Sequence, residues 1–225
     1  MESEIIDFES NIEQYWQATV VPDRNAGSAS LTHTRIVTTT MLKQAKKDGA
    51  IVTDDWHVRQ EPIDGVHATE VRHVPRDHGV ITEIYRPKWD PSDLPIVQCY
   101  QSRLFPAAIG AWSCHAKQID RLFVNDGLLK IVLYDGREDS PTYERINVFH
   151  AGDARPAFLL IPPGVWHGVQ NIGPTDALML NFPSIAYDYD DPDHYRLPYD
   201  SPHIPYSWNA GHSSRLRSDG KQSSE

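Results

Sequence analysis

The chain has 225 residues, which is enough for one good-sized β domain or for a domain with an appendage. Its 21 Lys and Arg residues against 31 Asp and Glu residues give a net charge of −10, and no basic run is longer than Lys46-Lys47. We therefore expect no nucleic-acid partner, because neutralising phosphate groups requires clustered cations.

The sequence carries neither the pattern of a signal peptide nor that of a membrane span. The amino end has early acidic residues and no uninterrupted apolar core, and no apolar run approaches the length that crosses a bilayer. Cys99 and Cys114 are not spaced as a metal clip. We expect reduced thiols in a cytoplasmic protein that has no membrane partner.

Residues 1–64 differ in pattern from the rest of the chain and predict a helical amino-terminal extension. Apolar residues in 2–20 recur at mostly helical intervals, and 38–48 predict a second short helix that ends at Gly49. Two short helices bury little surface alone, so we expect them to pack on the next domain or on a second subunit.

From residue 65 the chain changes to short β runs separated by turn residues. The predicted strands are 68–73, 80–85, 96–102, 110–117, 120–124, 128–134, 145–150, 157–161, 164–171 and 177–182. Asn125-Asp126-Gly127 is a hairpin signal between two of them. Ten short strands predict an all-β barrel or jelly roll over 65–208, followed by a disordered tail at 209–225.

The most informative stretch is 162–171, with the sequence PPGVWHGVQN. A buried strand precedes it, Pro-Pro-Gly makes a tight corner, and a new strand begins. Alternation then places Val165, His167, Val169 and Asn171 on one face of that strand. Its P-x-G-x-x-H-x-x-x-N spacing resembles the second motif of the cupin barrels, which favours a double-stranded β-helix with His167 in its mouth.

Further motifs make 65–208 resemble the dTDP-4-dehydrorhamnose 3,5-epimerase family, the sugar-nucleotide branch of the cupins. Residues 77–79 (DHG) stand at its E-R-G turn, 96–98 (IVQ) at its F-V-Q strand, and 112–118 (WSCHAKQ) at a strand that contains a histidine. Residues 133–142 (LYDGREDSPT) match its D-x-R-x-x-S-P-T hairpin, and 189–208 match its closing segment.

The resemblance implies an isomerase that inverts carbons next to a ketone on a nucleotide sugar, without a cofactor and as a homodimer. This chemistry needs a base, a donor that holds the enolate oxygen, and an acid on the other face. The family's base position falls on Ser113 and its acid position on Leu180, neither of which can do that work. The arginine of its turn falls on His78, and its strand lysine on Asp120.

Strand alternation predicts which polar residues share the pocket. Ser113, His115 and Lys117 share one face of their strand. If Gln98 faces the pocket, Tyr100 faces it too, because the two residues are two positions apart on one strand. The predicted pocket contains Gln98, Tyr100, Ser113, His115, Asp120 and His167, with Lys117 near the rim and His78 as a further substrate contact. We expect His115 or His167 to act as the base, Tyr100 as the acid or enolate donor, and Lys117 as a diphosphate partner.

A metal site and a binding function are the alternatives. His115, Gln118 and His167 make a poor ligand set because Gln is a weak neutral ligand, although two histidines with Asp120 are conceivable. The acidic run from Asp188 to Asp193 is expected to be a surface loop rather than a calcium site. The remaining hypotheses are a cupin that binds a carbohydrate or small metabolite without epimerising it, and a metal-dependent cupin enzyme.

Overall fold

The computed structural model describes residues 49–54 and 58–208. The predicted helices at 2–20 and 38–48 and the predicted tail lie outside the described residues. Within the described part of the chain, no helix is long and apolar enough to cross a membrane.

The described residues form twelve β-strands and one short helix, which confirms the predicted all-β fold. The strands are β1 (His67–Glu70), β2 (His73–Arg76), β3 (Gly79–Thr82), β4 (Tyr100–Leu104), β5 (Ile109–Cys114), β6 (Asp120–Asp126), β7 (Leu128–Asp135), β8 (Ile146–Gly152), β9 (Ala157–Ile161), β10 (Val165–Asn171), β11 (Ala177–Asn181) and β12 (Tyr195–Arg196). The helix is a 3-10 turn at Pro87–Trp89.

The strands form two five-stranded antiparallel sheets and the separate hairpin β2–β3. One sheet has the order β1-β9-β6-β11-β4 and the other β12-β5-β10-β7-β8. Both sheets contribute to one apolar core, with Leu122 and Leu159 from the first and Ile131 and Val165 from the second. This is the jelly-roll arrangement that the spacing of the strands predicts.

The outer face of each sheet is also covered. Trp112 and Val132 on the second sheet pack with Ile204 and Trp208 of the closing segment. Phe123 and Phe158 on the first sheet pack with the chain between β1 and β4, as well as with Leu180. Strand positions therefore alternate between the inner core and an outer apolar layer.

The segment before β1 also contacts the second sheet. Ile63 is buried and its backbone N–H donates to Asn147 Oδ1 at 2.8 Å. The Gln60 side chain accepts a hydrogen bond from the backbone N–H of Val148 at 2.8 Å. These contacts fix residues 60–63 along β8.

Several predicted strands have wrong bounds: those predicted over 68–73 and 80–85 end at Glu70 and Thr82, and two others lie beside the pocket. The strand predicted over 96–102 is β4, which begins only at Tyr100 and continues to Leu104. The strand predicted over 110–117 is β5, which ends at Cys114. Residues 115–118 turn instead, because the Asp193 carboxylate accepts hydrogen bonds from the backbone N–H groups of Ala116, Lys117 and Gln118 at 2.8–2.9 Å.

Candidate active site

A cavity of about 510 Å³ opens at the end of the barrel where β4 and β6 begin and β11 ends. Its lining combines polar, charged and tyrosine side chains: Gln98, Tyr100, His115, Lys117, Gln118, Pro183, Ile185, Ala186, Tyr187, Asp188, Tyr189, Asp191, Asp193, His194 and Arg196. A cavity of this size is typical of small-molecule sites.

The buried carboxylate of Asp120 lies behind the cavity lining, in contact with His115 and Gln118, which belong to that lining, whereas Ser113, Asp120 and His167 do not. The Asp120 side chain is 3% exposed, and Oδ2 lies 3.2 Å from Nε2 of both His115 and His167. Oδ1 accepts hydrogen bonds from Gln118 Nε2 at 2.7 Å and from Asn181 Nδ2 at 2.9 Å. Burial alone would raise the pKa of this carboxyl, but hydrogen bonds and positive charge from the two histidines hold it well below its usual range.

Strand geometry explains why these groups meet. Alternation directs Asp120 on β6 and Asn181 on β11 to the inner side of the first sheet, as it directs Leu122 and Met179 into the core. The register pairs Asn181 with Tyr100 on β4, and His167 with Ser113 on β5. The turn after β5 then brings His115 onto Asp120.

His115 has an oxygen acceptor at each ring nitrogen. Nδ1 contacts the backbone carbonyl of Asp193, and Nε2 faces the Asp120 carboxylate. Burial lowers the pKa of His115, but the hydrogen bond and charge of Asp120, together with the carbonyl and charge of Asp193, raise it overall. Because a carbonyl and a carboxylate only accept, both ring nitrogens act as donors here.

His167 is held in a similar way on β10. Its Nδ1 lies 3.2 Å from the carbonyl oxygen of Val165, and its Nε2 faces Asp120. The ring stacks on His115 with centroids 5.6 Å apart. The two imidazoles therefore converge on one carboxylate. His167 lies on β10, and His115 directly follows β5, the neighbouring strand of the second sheet.

Tyr100 is connected to the same carboxylate through Asn181, whose amide Nδ2 donates to both the Tyr100 hydroxyl and Asp120 Oδ1 at 2.9 Å. Because this hydroxyl accepts from Asn181, its own proton is free to be donated into the cavity. Burial raises the pKa of Tyr100, the Asn181 bond lowers it, and the charge of Asp120 raises it, so the phenol has a pKa above its ordinary value.

His194 is a cavity residue that the sequence analysis missed. Its Nε2 lies 3.1 Å from Ser113 Oγ, and its ring centroid lies 5.0 Å from that of His115. Burial lowers the pKa of His194, and the positive charges of Arg196, His115 and His167 lower it further. No residue in 49–54 or 58–208 bonds to its Nδ1. Ser113 and His194 are 81 positions apart in the chain, which leaves no local signal for this contact.

The rim carries two cations, Lys117 and Arg196, of which the sequence analysis identified only the lysine. Gln98 accepts a hydrogen bond from the backbone N–H of Tyr187 at 2.9 Å, so its amide oxygen is used to fix the loop that forms one wall. Tyr187 and Tyr189 stack edge to face on the same wall. The rim therefore combines positive charge with exposed aromatic surface.

Two of the residues compared with the family lie away from the cavity. His78 lies in the exposed turn between β2 and β3 and does not line the cavity. Leu180 points to the outer layer with Phe123 and Phe158, while its neighbour Asn181 faces the site. The Asp188 carboxylate bonds the backbone of Asp190 and Asp191, as expected for a surface loop.

The residues best placed to hold a metal ion are His115, Asp120 and His167, which are the one such group in the described part of the chain. The sequence analysis named Gln118 with the two histidines as a poor ligand set and left two histidines with Asp120 conceivable. In the structure Gln118 donates its amide hydrogen to Asp120, and the carboxylate takes the central position.

A scan against protein-family models found no match. The probable low-salt glycan biosynthesis epimerase Agl13 of Haloferax volcanii is 37% identical over 149 residues, which cover 64% of this chain and 96% of that protein. The spore coat polysaccharide biosynthesis protein SpsL of Bacillus subtilis is 36% identical over 149 residues, covering 65% and 97% respectively.

Among solved structures, a dTDP sugar isomerase from Desulfovibrio desulfuricans is 32% identical, with a TM-score of 0.62 over 68% of this chain and 96% of that one. A dTDP-4-dehydrorhamnose 3,5-epimerase from Bacillus anthracis shares the fold at 22% identity, with a TM-score of 0.58 over 67% and 88% of the two chains.

The antiparallel jelly roll of two five-stranded sheets with a polar cavity at one end is that of a cupin. The two relatives and the dTDP sugar isomerase each align over nearly their whole length. The chain belongs to the dTDP-4-dehydrorhamnose 3,5-epimerase family.

Proposed function

We propose that this protein is an epimerase that inverts a carbon next to the ketone of a nucleotide-linked keto sugar. The relative named as a glycan biosynthesis epimerase and the structure named as a dTDP sugar isomerase support the class of reaction. The observation that carries the proposal is the buried Asp120 carboxylate, which holds two imidazoles, one of which, that of His115, lines a cavity of about 510 Å³.

The reaction needs a group that stabilises negative charge on the carbonyl oxygen as the neighbouring proton leaves. We assign this role to the end of the cavity lined by His115, behind which Asp120 and His167 lie. The sequence-based hypothesis made one of the two histidines the base. Each of their ring nitrogens faces an oxygen atom of the protein, so neither ring directs a nitrogen at a substrate carbon, which supports charge stabilisation instead.

The proton carriers in this proposal are Tyr100 and His194. The Tyr100 hydroxyl has a free proton because it accepts from Asn181, and its raised pKa keeps it protonated near neutrality. His194 has a lowered pKa, so its ring is neutral near pH 7, and its Nδ1 has no bonding partner in the described part of the chain. A neutral imidazole and a phenol are suitable as base and acid.

Lys117 and Arg196 at the rim are the proposed contacts of the diphosphate, since both line the cavity and both are basic side chains of the kind that bind phosphate groups. Gln98 and Ser113 complete the proposed binding residues. Gln98 acts by holding the wall at Tyr187, and Ser113 acts by holding the ring of His194.

Deuterium wash-in tests the reaction directly. In D₂O, the wild-type protein should catalyse exchange of deuterium into the carbon next to the ketone of a dTDP-4-keto-6-deoxy sugar. NMR of the sugar measures the rate of this exchange. Tyr100→Phe and His194→Gln should each lower the exchange rate by about 100-fold or more, because each removes one proton-transfer group.

Two matched variants serve as controls. Tyr143→Phe changes a tyrosine outside the cavity that is 45% exposed, as Tyr100 is, and His203→Gln changes an exposed histidine outside the cavity. Both should exchange at the wild-type rate. Folded wild-type protein that exchanges no deuterium with any dTDP-4-keto sugar tried would refute the epimerase and leave a binding function.

We also propose that the protein is a homodimer that works in the cytoplasm. Exposed apolar side chains on the hairpin β2–β3 support an interface there, with Val74 48%, Val80 61% and Ile81 54% exposed. Light scattering of the full chain should give the mass of a dimer, and Ile81→Glu should shift it toward the monomer. Cell fractionation should recover the protein with cytoplasmic markers.

A further inference from the structure

We propose that Asn181 is a positioning residue, which directs the proton of Tyr100 into the cavity and stabilises the phenolate that remains after proton transfer. This role rests on the proposed function, in which Tyr100 is the proton donor. Asn181 is the last residue of β11 and is 2% exposed. The register of the first sheet places it directly opposite Tyr100, the first residue of β4. The two side chains therefore meet across neighbouring strands.

The surroundings of the Asn181 amide allow one orientation of it. Oδ1 lies 3.2 Å from the backbone nitrogen of Arg121, which can only donate. Nδ2 lies 2.9 Å from Oδ1 of the ionised Asp120 carboxylate, which can only accept. Exchange of the amide oxygen and nitrogen would place an oxygen against the carboxylate and an N–H group against the backbone N–H. The NH₂ group is therefore directed at Asp120 and Tyr100.

This orientation determines the direction of the hydrogen bond between Asn181 and Tyr100. The NH₂ group has two hydrogens, of which one is donated to Asp120 and the other to the Tyr100 hydroxyl at 2.9 Å. It has no lone pair that could accept the phenol proton in return. Tyr100 lines the cavity and is 45% exposed. Its O–H group therefore points away from Asn181 and is available to a molecule in the cavity.

The same hydrogen bond acts after the proton has moved. When Tyr100 protonates the enolate carbon, its O–H bond breaks, a C–H bond forms, and the negative charge passes from the enolate to the phenolate oxygen. Asn181 then donates to an anion, and such bonds are about twice as strong as bonds between neutral groups. Burial and the charge of Asp120 raise the pKa of Tyr100, and the Asn181 bond opposes them. Exchange with solvent restores the phenol.

Deuterium exchange tests the assignment through two single variants and their combination. Asn181→Ala should lower kcat for exchange at least about 10-fold and leave KM within about twofold of the wild type, because the bond strengthens only as charge develops on Tyr100. Tyr100→Phe removes the group through which Asn181 acts. Adding Asn181→Ala to Tyr100→Phe should therefore cause no further loss, whereas a structural role independent of Tyr100 would multiply the two losses.

Asn181→Asp keeps the shape of the side chain and reverses the hydrogen bond. A carboxylate only accepts, so Tyr100 would donate its proton to the new carboxylate and not to the cavity. A proton shared between the new carboxyl group and Asp120 would lie between those two groups, and Tyr100 would still donate. The exchange rate should fall about 100-fold or more, as in Tyr100→Phe. This variant decides the question if Asn181→Ala does not fold by circular dichroism.

Asn171 on β10 is the matched control. It is 1% exposed and does not line the cavity. Its amide also donates twice, to the carbonyls of Leu104 and Thr175, and accepts once, from the backbone N–H of Gly173. Asn171→Ala should lower stability through the loss of a buried amide, yet exchange deuterium at the wild-type rate per folded molecule.

NMR of protein labelled at the tyrosine ζ-carbon follows the hydrogen bond without any sugar. The resonance that is missing from Tyr100→Phe identifies Tyr100. In Asn181→Ala this resonance should titrate at a higher pH than in the wild type, because the phenolate has lost a donor. In Asn171→Ala it should titrate as in the wild type.

A wild-type exchange rate in folded Asn181→Ala, or a loss that multiplies with that of Tyr100→Phe, overturns the positioning role and leaves the epimerase standing. An unchanged Tyr100 titration in Asn181→Ala also overturns it. If the wild-type protein exchanges no deuterium, the proposed function fails and the catalytic part of this role fails with it. A shifted titration would then still support the direction of the hydrogen bond.

Discussion

The carboxylate of Asp120 offers a stability measurement whose size follows from the contacts around it. The side chain is 3% exposed and faces four nitrogen atoms, from Gln118, Asn181, His115 and His167. In Asp120→Asn, one carboxylate oxygen becomes an NH₂ group, which cannot accept from the two rings. Hydrogen bonds to charged groups contribute about 1.5–3 kcal/mol each, and two are lost.

Part of this loss is recovered, because an imidazole without its carboxylate can give up its proton. We therefore expect the free energy of unfolding to fall by about 3–4 kcal/mol, near the lower end of the range for breaking a buried charge pair. Urea unfolding in the presence of a chelator, followed by circular dichroism and tryptophan fluorescence, measures this difference without a contribution from bound metal.

The matched control is Asp176→Asn. Its carboxylate is 36% exposed and lies 3.2 Å from Arg103, which is 55% exposed, so the expected loss is below about 1 kcal/mol. If Asp120→Asn costs no more than Asp176→Asn, the four contacts do not stabilise the site behind the cavity lining, and the reasoning on which the site depends is wrong.

Three further predictions concern the rim, a distant carboxylate and the amino-terminal region. Lys117→Ala and Arg196→Ala should each raise KM for a dTDP sugar about 10-fold with little change in kcat, as expected for uniform binding, whereas Lys88→Ala outside the cavity should change neither value. Asp135 is fully buried and bonds Arg137, Ser140 and Thr142, which hold its pKa below the usual range although burial raises it. Its stabilisation is therefore present above about pH 4 and lost as the pH falls, so the urea-measured penalty of Asp135→Asn should shrink by up to about 1.4 kcal/mol per pH unit below pH 4; a constant penalty would contradict this. A chain that starts at Gly49 should keep the β-sheet circular dichroism, because the contacts of residues 60–63 with β8 remain, and loss of that signal would show that the barrel depends on residues 1–48.

The corner before β10 could be predicted from the local sequence. Gly164 has φ +79°, a conformation that L side chains rarely adopt, and a Cβ there would lie 2.7 Å from the Arg137 side chain. The same logic held for the hairpin between β6 and β7, where Gly127 has φ +71°. Turn residues and alternation thus predicted both strands and the inward face of His167 from neighbours in the chain.

The end of β5 could not be predicted from the local sequence. Residues 115–117 continue the alternation of a strand, yet the chain turns there because the Asp193 carboxylate, about 75 residues away, accepts hydrogen bonds from the backbone N–H groups of residues 116–118. His115 consequently reaches the predicted pocket through the turn after β5, and not through the strand alternation from which its position was predicted. Nothing near residue 115 in the sequence predicts that its ring nitrogens would both be occupied.

The sequence by itself determined the β-rich barrel, the placement of its turns and most of the polar residues at its open end, because alternation and turn chemistry are properties of neighbouring residues. Only the tertiary structure decided that Asp120 is in contact with both His115 and His167, that His194 lies beside Ser113, and that Arg196 lies at the rim. The contacts between Asp120 and Asn181 and between Ser113 and His194 join residues 61 and 81 positions apart, and their geometry depends on how two sheets and the closing segment pack together.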